Sequence, residues 1–267
     1  MPAPEALIDL ARYPVLDLGS ERGRSLLAAG RAELGQRGMA VLPGFLREDA
    51  LGPLVAECDA LAGSGHFSEV RGTPYIDVPD LSLPEGHPRR TLGRTALTAV
   101  AYDRFPAASG LRALYEWDPL LELMRRLLGR ERLYRYADPL GALNLAVMRE
   151  GDELALRWTP QRATRWAGTG CGRRVVGTTP PASGATYLVV GRGVQRRGAP
   201  DAGVSVVPMT PGTLMLFEGR RSIHRVSPIR GSRARHVALL AYDTEPGTDS
   251  SPLLKRVRYG RLPEEAA

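Results

Sequence analysis

Histidine is scarce in this chain of 267 residues, which holds four: His66, His87, His224 and His236. His224 has neighbours that could do chemistry. It lies in PGTLMLFEGRRSIHRVSPIRGSRARHVALLAY, which reads as a strand, a Gly-Arg-Arg turn, His224, a return through Val226 and Pro228, and a strand opening at Arg235. Eleven positions separate His224 from Arg235, and a strand-turn-strand path can bring two such positions to one barrel mouth. Imidazole is a good ligand for iron, and guanidinium grips a carboxylate through two parallel hydrogen bonds. The residue types alone favour a plainer pair: a satisfied strand-end histidine and a surface arginine. Asn144 is the one polar side chain in the apolar run ALNLAVM (142–148). Such a residue either faces a barrel interior and its ligand, or is a buried amide that satisfies backbone groups.

The elements that would position these residues change character along the chain. Over the first 130 residues the pattern is mostly helix and loop. Leu26, Leu27 and Leu34 recur at helical spacing between Ser20 and Gly38, and Leu51, Leu54, Val55, Cys58 and Leu61 share one face between Asp49 and Leu61. On that face Cys58 reads as a small buried hydrophobe. Asp118-Pro119 opens a third helix as N-cap and N1, carrying Leu120, Leu121, Met124, Leu127 and Leu128 and stopping at Gly129. Residues 63–91, rich in Gly, Pro and charge, read as one long loop. Beyond residue 130 the period becomes two. Strands are expected at 133–136, 142–149, 185–190, 204–207, 213–218 and 236–243, parted by turns such as Glu150-Gly151-Asp152 and Pro211-Gly212. Short strands without intervening helices favour a sandwich or barrel over a parallel sheet. With no internal repeat and no linker, the reading is a single domain over 1–267, helical over 1–130 with a β core over about 131–245 and the helices packed outside.

Composition narrows the function classes. The chain is 43% hydrophobic and 24% charged, as expected of a globular protein. It has no run near the roughly 20 apolar residues of a membrane span. The start, MPAPEALIDLARYP, does not read as a signal peptide, and two cysteines make no disulfide framework, so a reducing cytoplasm is the expected location. The net charge of +7 is local. Residues 154–200 carry eight arginines and no Asp, Glu or His, while the rest of the chain balances 28 basic against 29 acidic residues. Of the 36 basic residues, 35 are arginine and one, Lys255, is lysine, a bias that looks like GC-rich coding. The basic window reads most simply as a solvated surface and lacks a helical stripe, so no nucleic-acid partner is expected. Gly168-Thr-Gly170-Cys-Gly172 lacks the preceding strand and the helix of a phosphate loop, and Tyr187-Leu-Val-Val-Gly191-Arg-Gly193 has the strand but no third glycine in place and no acidic residue about 20 further on.

Two blocks carry a resemblance. Residues 113–154 (ALYEWDPLLELMRRLLGRERLYRYADPLGALNLAVMREGDEL) and 210–247 (TPGTLMLFEGRRSIHRVSPIRGSRARHVALLAYDTEPG) resemble the Fe(II)/2-oxoglutarate-dependent oxygenases, and within them the bacterial branch acting on free amino acids, hydroxylases and halogenases. The N-terminal segment VRGTPYIDVPDLSLPEGHPRRTLGRTAL is similar to the same group. The resemblance implies a double-stranded β-helix, a jelly-roll or cupin-like barrel. It implies Fe(II) and 2-oxoglutarate as cofactors and a small-molecule substrate, an amino acid or similar metabolite. It makes His224 the second iron histidine and Arg235 the partner of the far 2-oxoglutarate carboxylate, and it places Asn144 against the cosubstrate. The implied activity is that of a dioxygenase or halogenase.

The departure lies after GDEL. There the family places His-x-Asp, or His-x-Gly in halogenases, whereas this chain reads GDELALRWTPQR (151–162). Arg157 stands where the first histidine is expected and Thr159 where the carboxylate or glycine is expected. Arginine stays protonated and has no lone pair to give a metal. His236 follows Arg235 directly, so in a strand it points to the opposite face; His87 belongs to the long loop, and Cys171, Asp201 and Glu218 have no spacing that recommends them. The alternative reading is therefore a degenerate, non-catalytic jelly roll that at most binds a small carboxylate. The stretch 155–200 reads either as a replaced segment or as GC-rich sequence read out of frame and then restored.

Overall fold

The computed structural model describes residues 3–75, 79–157, 173–177, 186–190, 204–208, 210–217 and 223–263. The chain opens with α1 (Pro4–Leu7), α2 (Glu21–Arg37), β1 (Met39–Leu42) and α3 (Glu48–Ala62). It continues through β2 (His66–Gly72), β3 (Gly93–Val100), α4 (Gly110–Glu116), α5 (Asp118–Leu127), β4 (Tyr134–Arg135) and β5 (Leu143–Met148). Then follow β6 (Leu154–Arg157), β7 (Arg173–Gly177), β8 (Thr186–Val190), β9 (Val204–Pro208) and β10 (Leu214–Phe217). The last elements are β11 (Ile223–Val226), β12 (Arg235–Leu240), β13 (Tyr242–Asp243) and α6 (Pro252–Tyr259).

The helices end where their chemistry dictates. Ser20 caps α2 by accepting from the Gly23 amide, and Gly38 closes it with φ of 71°, a conformation that costs glycine nothing. Helix α5 starts one residue earlier than expected: Trp117 holds the cap position and Asp118 is the first helical residue. The Asp118 carboxylate accepts instead from Arg135 at 3.0 Å.

Among the described residues three sheets form, all antiparallel in their pairings. The largest runs β1-β10-β7-β12-β5-β3-β2, the second β6-β11-β8-β9, and β13 pairs with β4. Strands β5 to β12 thus divide between two sheets: β5, β7, β10 and β12 in one, β6, β8, β9 and β11 in the other. This is a jelly-roll order, in which each sheet collects strands from distant parts of the sequence.

The large sheet is covered on both faces. Leu143, Leu145 and Val147 of β5 and Ala238 and Leu240 of β12 share a core with Leu27 and Leu34 of α2, Leu54 and Cys58 of α3, and Leu120, Leu123 and Met124 of α5. The alternate residues, Ala146 and Met148 of β5 and Val237 of β12, pack with Val226 of the second sheet. Every residue of β5 is therefore buried, which is why ALNLAVM reads as a continuous apolar run and not as alternation.

One expectation needs correction. The first 130 residues are not helix and loop alone, because β1, β2 and β3 join the large sheet, and β2 falls inside the stretch read as loop. Strand β2 lies at the sheet edge and most of its residues are exposed. Its sequence, HFSEVRG, is polar for that reason and hides the strand period. No described helix is long and apolar enough to cross a membrane.

Candidate functional site

Two close approaches position β6. A Cβ built on Gly93 of β3 would lie 2.5 Å from the Ala155 Cβ, so only glycine lets the strands meet there. The Ala96 amide donates to the Glu153 carbonyl at 2.8 Å, and the Ala155 amide to Thr95 Oγ1 at 3.1 Å. The Glu150-Gly151-Asp152 turn is tied to the loop between β11 and β12. Gly151 N donates to the Ile229 carbonyl and Ile229 N to the Asp152 carbonyl, each at 2.9 Å. Gly151 has φ of 84°, the left-handed conformation that such a turn asks of glycine.

These ties set the register in which β6 meets β11. Val226 pairs with Leu154, and His224 pairs with Arg157. Two steps on β11 match three on β6, so the pairing contains a bulge. An uninterrupted ladder would have set Leu156 opposite His224; the extra residue sets Arg157 there. On its other side β11 pairs regularly with β8, His224 opposite Val189 and Val226 opposite Tyr187. His224 therefore shares a strand face with Val226, which is buried between the two sheets.

Arg235 opens β12 opposite Met148. It is 5% exposed, and its Nη1 lies 3.7 Å from the Met148 sulfur. It shares a strand face with Val237, in the same inter-sheet core as Val226. The structure thus places His224 and Arg235 on the inner faces of two facing sheets. His236 points the other way, towards α3, with Nε2 3.3 Å from Asp59 Oδ1.

Asn144 is also buried on the inner side of β5, but it sits opposite Leu239, four residues along β12 from Arg235. At about 3.4 Å per residue that is about 14 Å. Its Oδ1 accepts from Arg258 of α6 at 3.1 Å. The geometry joins Asn144 to the C-terminal helix and not to the Arg235 end. No sequence pattern pointed to Arg258, since its partner lies 114 residues away.

Among the described residues, no group of three or more His, Cys, Asp and Glu side chains is placed to hold a metal ion. Thr159, Cys171, Asp201 and Glu218 lie outside the described residues. Composition limits what β6 and the stretch after it can add, because residues 154–200 contain no His, Asp or Glu. An octahedral iron site of nitrogen and oxygen donors needs more than one imidazole. The described residues do not make such a site, and the residue paired with His224 is an arginine.

His236 provides a pH-dependent element beside this site. Burial at 2% exposure pulls its pKa below the ordinary 6.5, with the Asp59 carboxylate opposing and Arg149 assisting. The unfolded chain therefore takes up the proton first as pH falls. Stability from this group is complete above about pH 6.5 and declines below it, down to the folded pKa, with a limiting slope of about 1.4 kcal/mol per pH unit. Urea midpoints should drop between pH 7.5 and 5.5, and His236→Gln should flatten that drop. An equal drop in the variant would assign it to other groups.

No protein-family profile matches the chain. No curated protein matches it either. Solved structures do match. The non-haem α-ketoglutarate-dependent epimerase SnoN of nogalamycin biosynthesis aligns with TM-score 0.55 at 17% identity, over 90% of this chain and 96% of that one. A Pseudomonas putida prolyl-4-hydroxylase aligns with TM-score 0.53 at 16% identity, over 82% and 99%. A 2OG-Fe(II) oxygenase family protein from Burkholderia pseudomallei aligns with TM-score 0.52 at 14% identity, over 82% and 91%. The chain shares the fold of these proteins.

Proposed function

We propose that this chain is a 2-oxoglutarate/Fe(II) oxygenase-type jelly roll that takes a small dicarboxylate between its sheets on Arg235, and that its present sequence does not complete the iron site. One observation carries the reading: the register sets Arg157 opposite His224, on the sheet that faces Arg235. A guanidinium almost enclosed on an inner wall is a receptor for a carboxylate, through charge-assisted paired hydrogen bonds. The residue paired with His224 is an arginine, a permanent cation with no lone pair to give a divalent metal. No step of an iron-dependent reaction is assigned to the chain as it stands. The finer class carried by the sequence resemblance, hydroxylation or halogenation of a free amino acid at an unactivated C–H, belongs to a site with its ligands restored.

The test is an anaerobic titration of 2-oxoglutarate with and without Fe(II). Binding should occur without metal, and Arg235→Gln should weaken it by about 10- to 100-fold, the worth of a hydrogen bond to a charged group. Added Fe(II) should change little. Absence of binding would remove the dicarboxylate reading. Binding that requires stoichiometric Fe(II), with the visible charge-transfer band of a chelate, would remove the incomplete-site reading.

A further inference from the structure

On the helical side of the molecule, α2 and α5 cross closely because Gly30 has no side chain: a Cβ there would lie 2.5 Å from Leu127 Cδ2. Beside the crossing is an open groove of about 810 Å³ whose lining includes Arg24, Arg31, Arg125, Arg126 and Arg130. None of these belongs to the acid-free window. Leu27, Ala28 and Gly129 supply an apolar part of the lining, and Glu131 is the single carboxylate among the lining residues.

Several of these guanidiniums are held by neutral carbonyls, which orient them without cancelling their charge. Arg24 donates to the Gly19 carbonyl. Arg31 Nε donates to the Arg126 carbonyl at 2.8 Å, and Arg125 Nη1 to the Arg130 carbonyl at 2.9 Å. The nearby Glu122 is shared between Arg125 at 2.6 Å and Arg126 at 2.9 Å. Hydrogen bonding from Arg125, then from Arg126, holds the Glu122 carboxyl down at about 2 against desolvation. Five guanidiniums thus stand against two carboxylates, Glu131 and Glu122. Oriented forks lose less entropy on binding than free side chains, and arginine is among the residues that carry most interface energy.

We propose that this groove docks a short acidic segment of a partner protein, with its carboxylates on the arginine forks and an apolar side chain over Ala28. A neighbouring hollow along α5, lined by Asp17, Asp118 and Glu122 and sharing Arg126, is acidic and limits the segment's length at that end. The groove lining contains no aromatic ring, so it lacks the stacking platforms of a single-stranded nucleic-acid site.

The test uses the whole protein and two fluorescent probes, a short Asp/Glu/Leu peptide and an oligothymidylate of similar charge. The peptide should bind at low salt, weaken as NaCl rises, and lose at least tenfold in affinity with Arg24→Glu plus Arg31→Glu. The oligothymidylate should bind more weakly. Arg24→Gln alone, which leaves the Arg31 bond to α5 in place, should give a smaller loss in the same direction, and thermal midpoints of both variants show whether they fold. No peptide binding at low salt, equal binding by the folded charge-reversed protein, or preference for the oligothymidylate would each overturn the proposal.

Discussion

Replacing Arg157 with His and Thr159 with Asp is expected to raise Fe(II) affinity by several orders of magnitude. The reason is electrostatic as well as coordinative. At about 4 Å and an effective dielectric near 20, two unit charges interact by about 4 kcal/mol, and a divalent ion about doubles this. Each 1.4 kcal/mol is about tenfold in affinity. Arginine opposes the metal by its charge and contributes no lone pair, whereas histidine at the same register faces His224 directly across the β6–β11 pair. His224→Ala should abolish the metal binding that remains in the unmodified chain and most of the gain in the double variant. Metal-competition titration of folded protein measures this without reference to turnover. Stoichiometric, tight iron in the unmodified protein, insensitive to His224→Ala, would overturn the reading of the site. A double variant that gains nothing would place the missing ligands elsewhere.

Lys255→Met should destabilise the protein by about 3–5 kcal/mol, the usual consequence of removing one member of a buried ion pair. Lys255 is the single lysine of a chain that otherwise uses arginine, and its side chain is 6% exposed. Its ammonium lies 2.6 Å from Asp249 and 3.7 Å from Asp138, and Asp138 is fully buried. The space around Asp138 is closed, since a Cβ on Gly141 would come within 2.4 Å of its Oδ2. A compact ammonium suits this place better than a planar fork, so Lys255→Arg should also destabilise. The pair fastens α6 to the turn before β5, and α6 supplies the Arg258 that holds Asn144. At about 2–4 °C per kcal/mol for a chain of this size, the Met variant should melt about 6–20 °C lower. A loss below about 1 kcal/mol would show that Asp249 and solvent carry the charge and that Asp138 needs no cation.

Much of this protein was determined locally and is visible without coordinates. Ser20, Gly38 and the leucines between them specify α2 because caps and helical period act within a few residues. The strands at β5, β8, β9, β10 and β12 follow from short apolar runs between turn residues. The opposite directions of Arg235 and His236 follow from the two-residue period of a strand. The tertiary structure alone decided what depends on pairing between distant segments. Strand β2 is polar because it lies at an edge, so its membership of the large sheet appears only through β3. Asn144 is committed to Arg258, which no local pattern connects to it. A one-residue bulge decides that His224 pairs with Arg157 and not with Leu156. What the sequence established by itself is the absence of His, Asp and Glu from 154–200; that this acid-free stretch begins on the strand facing His224 is a fact of the fold.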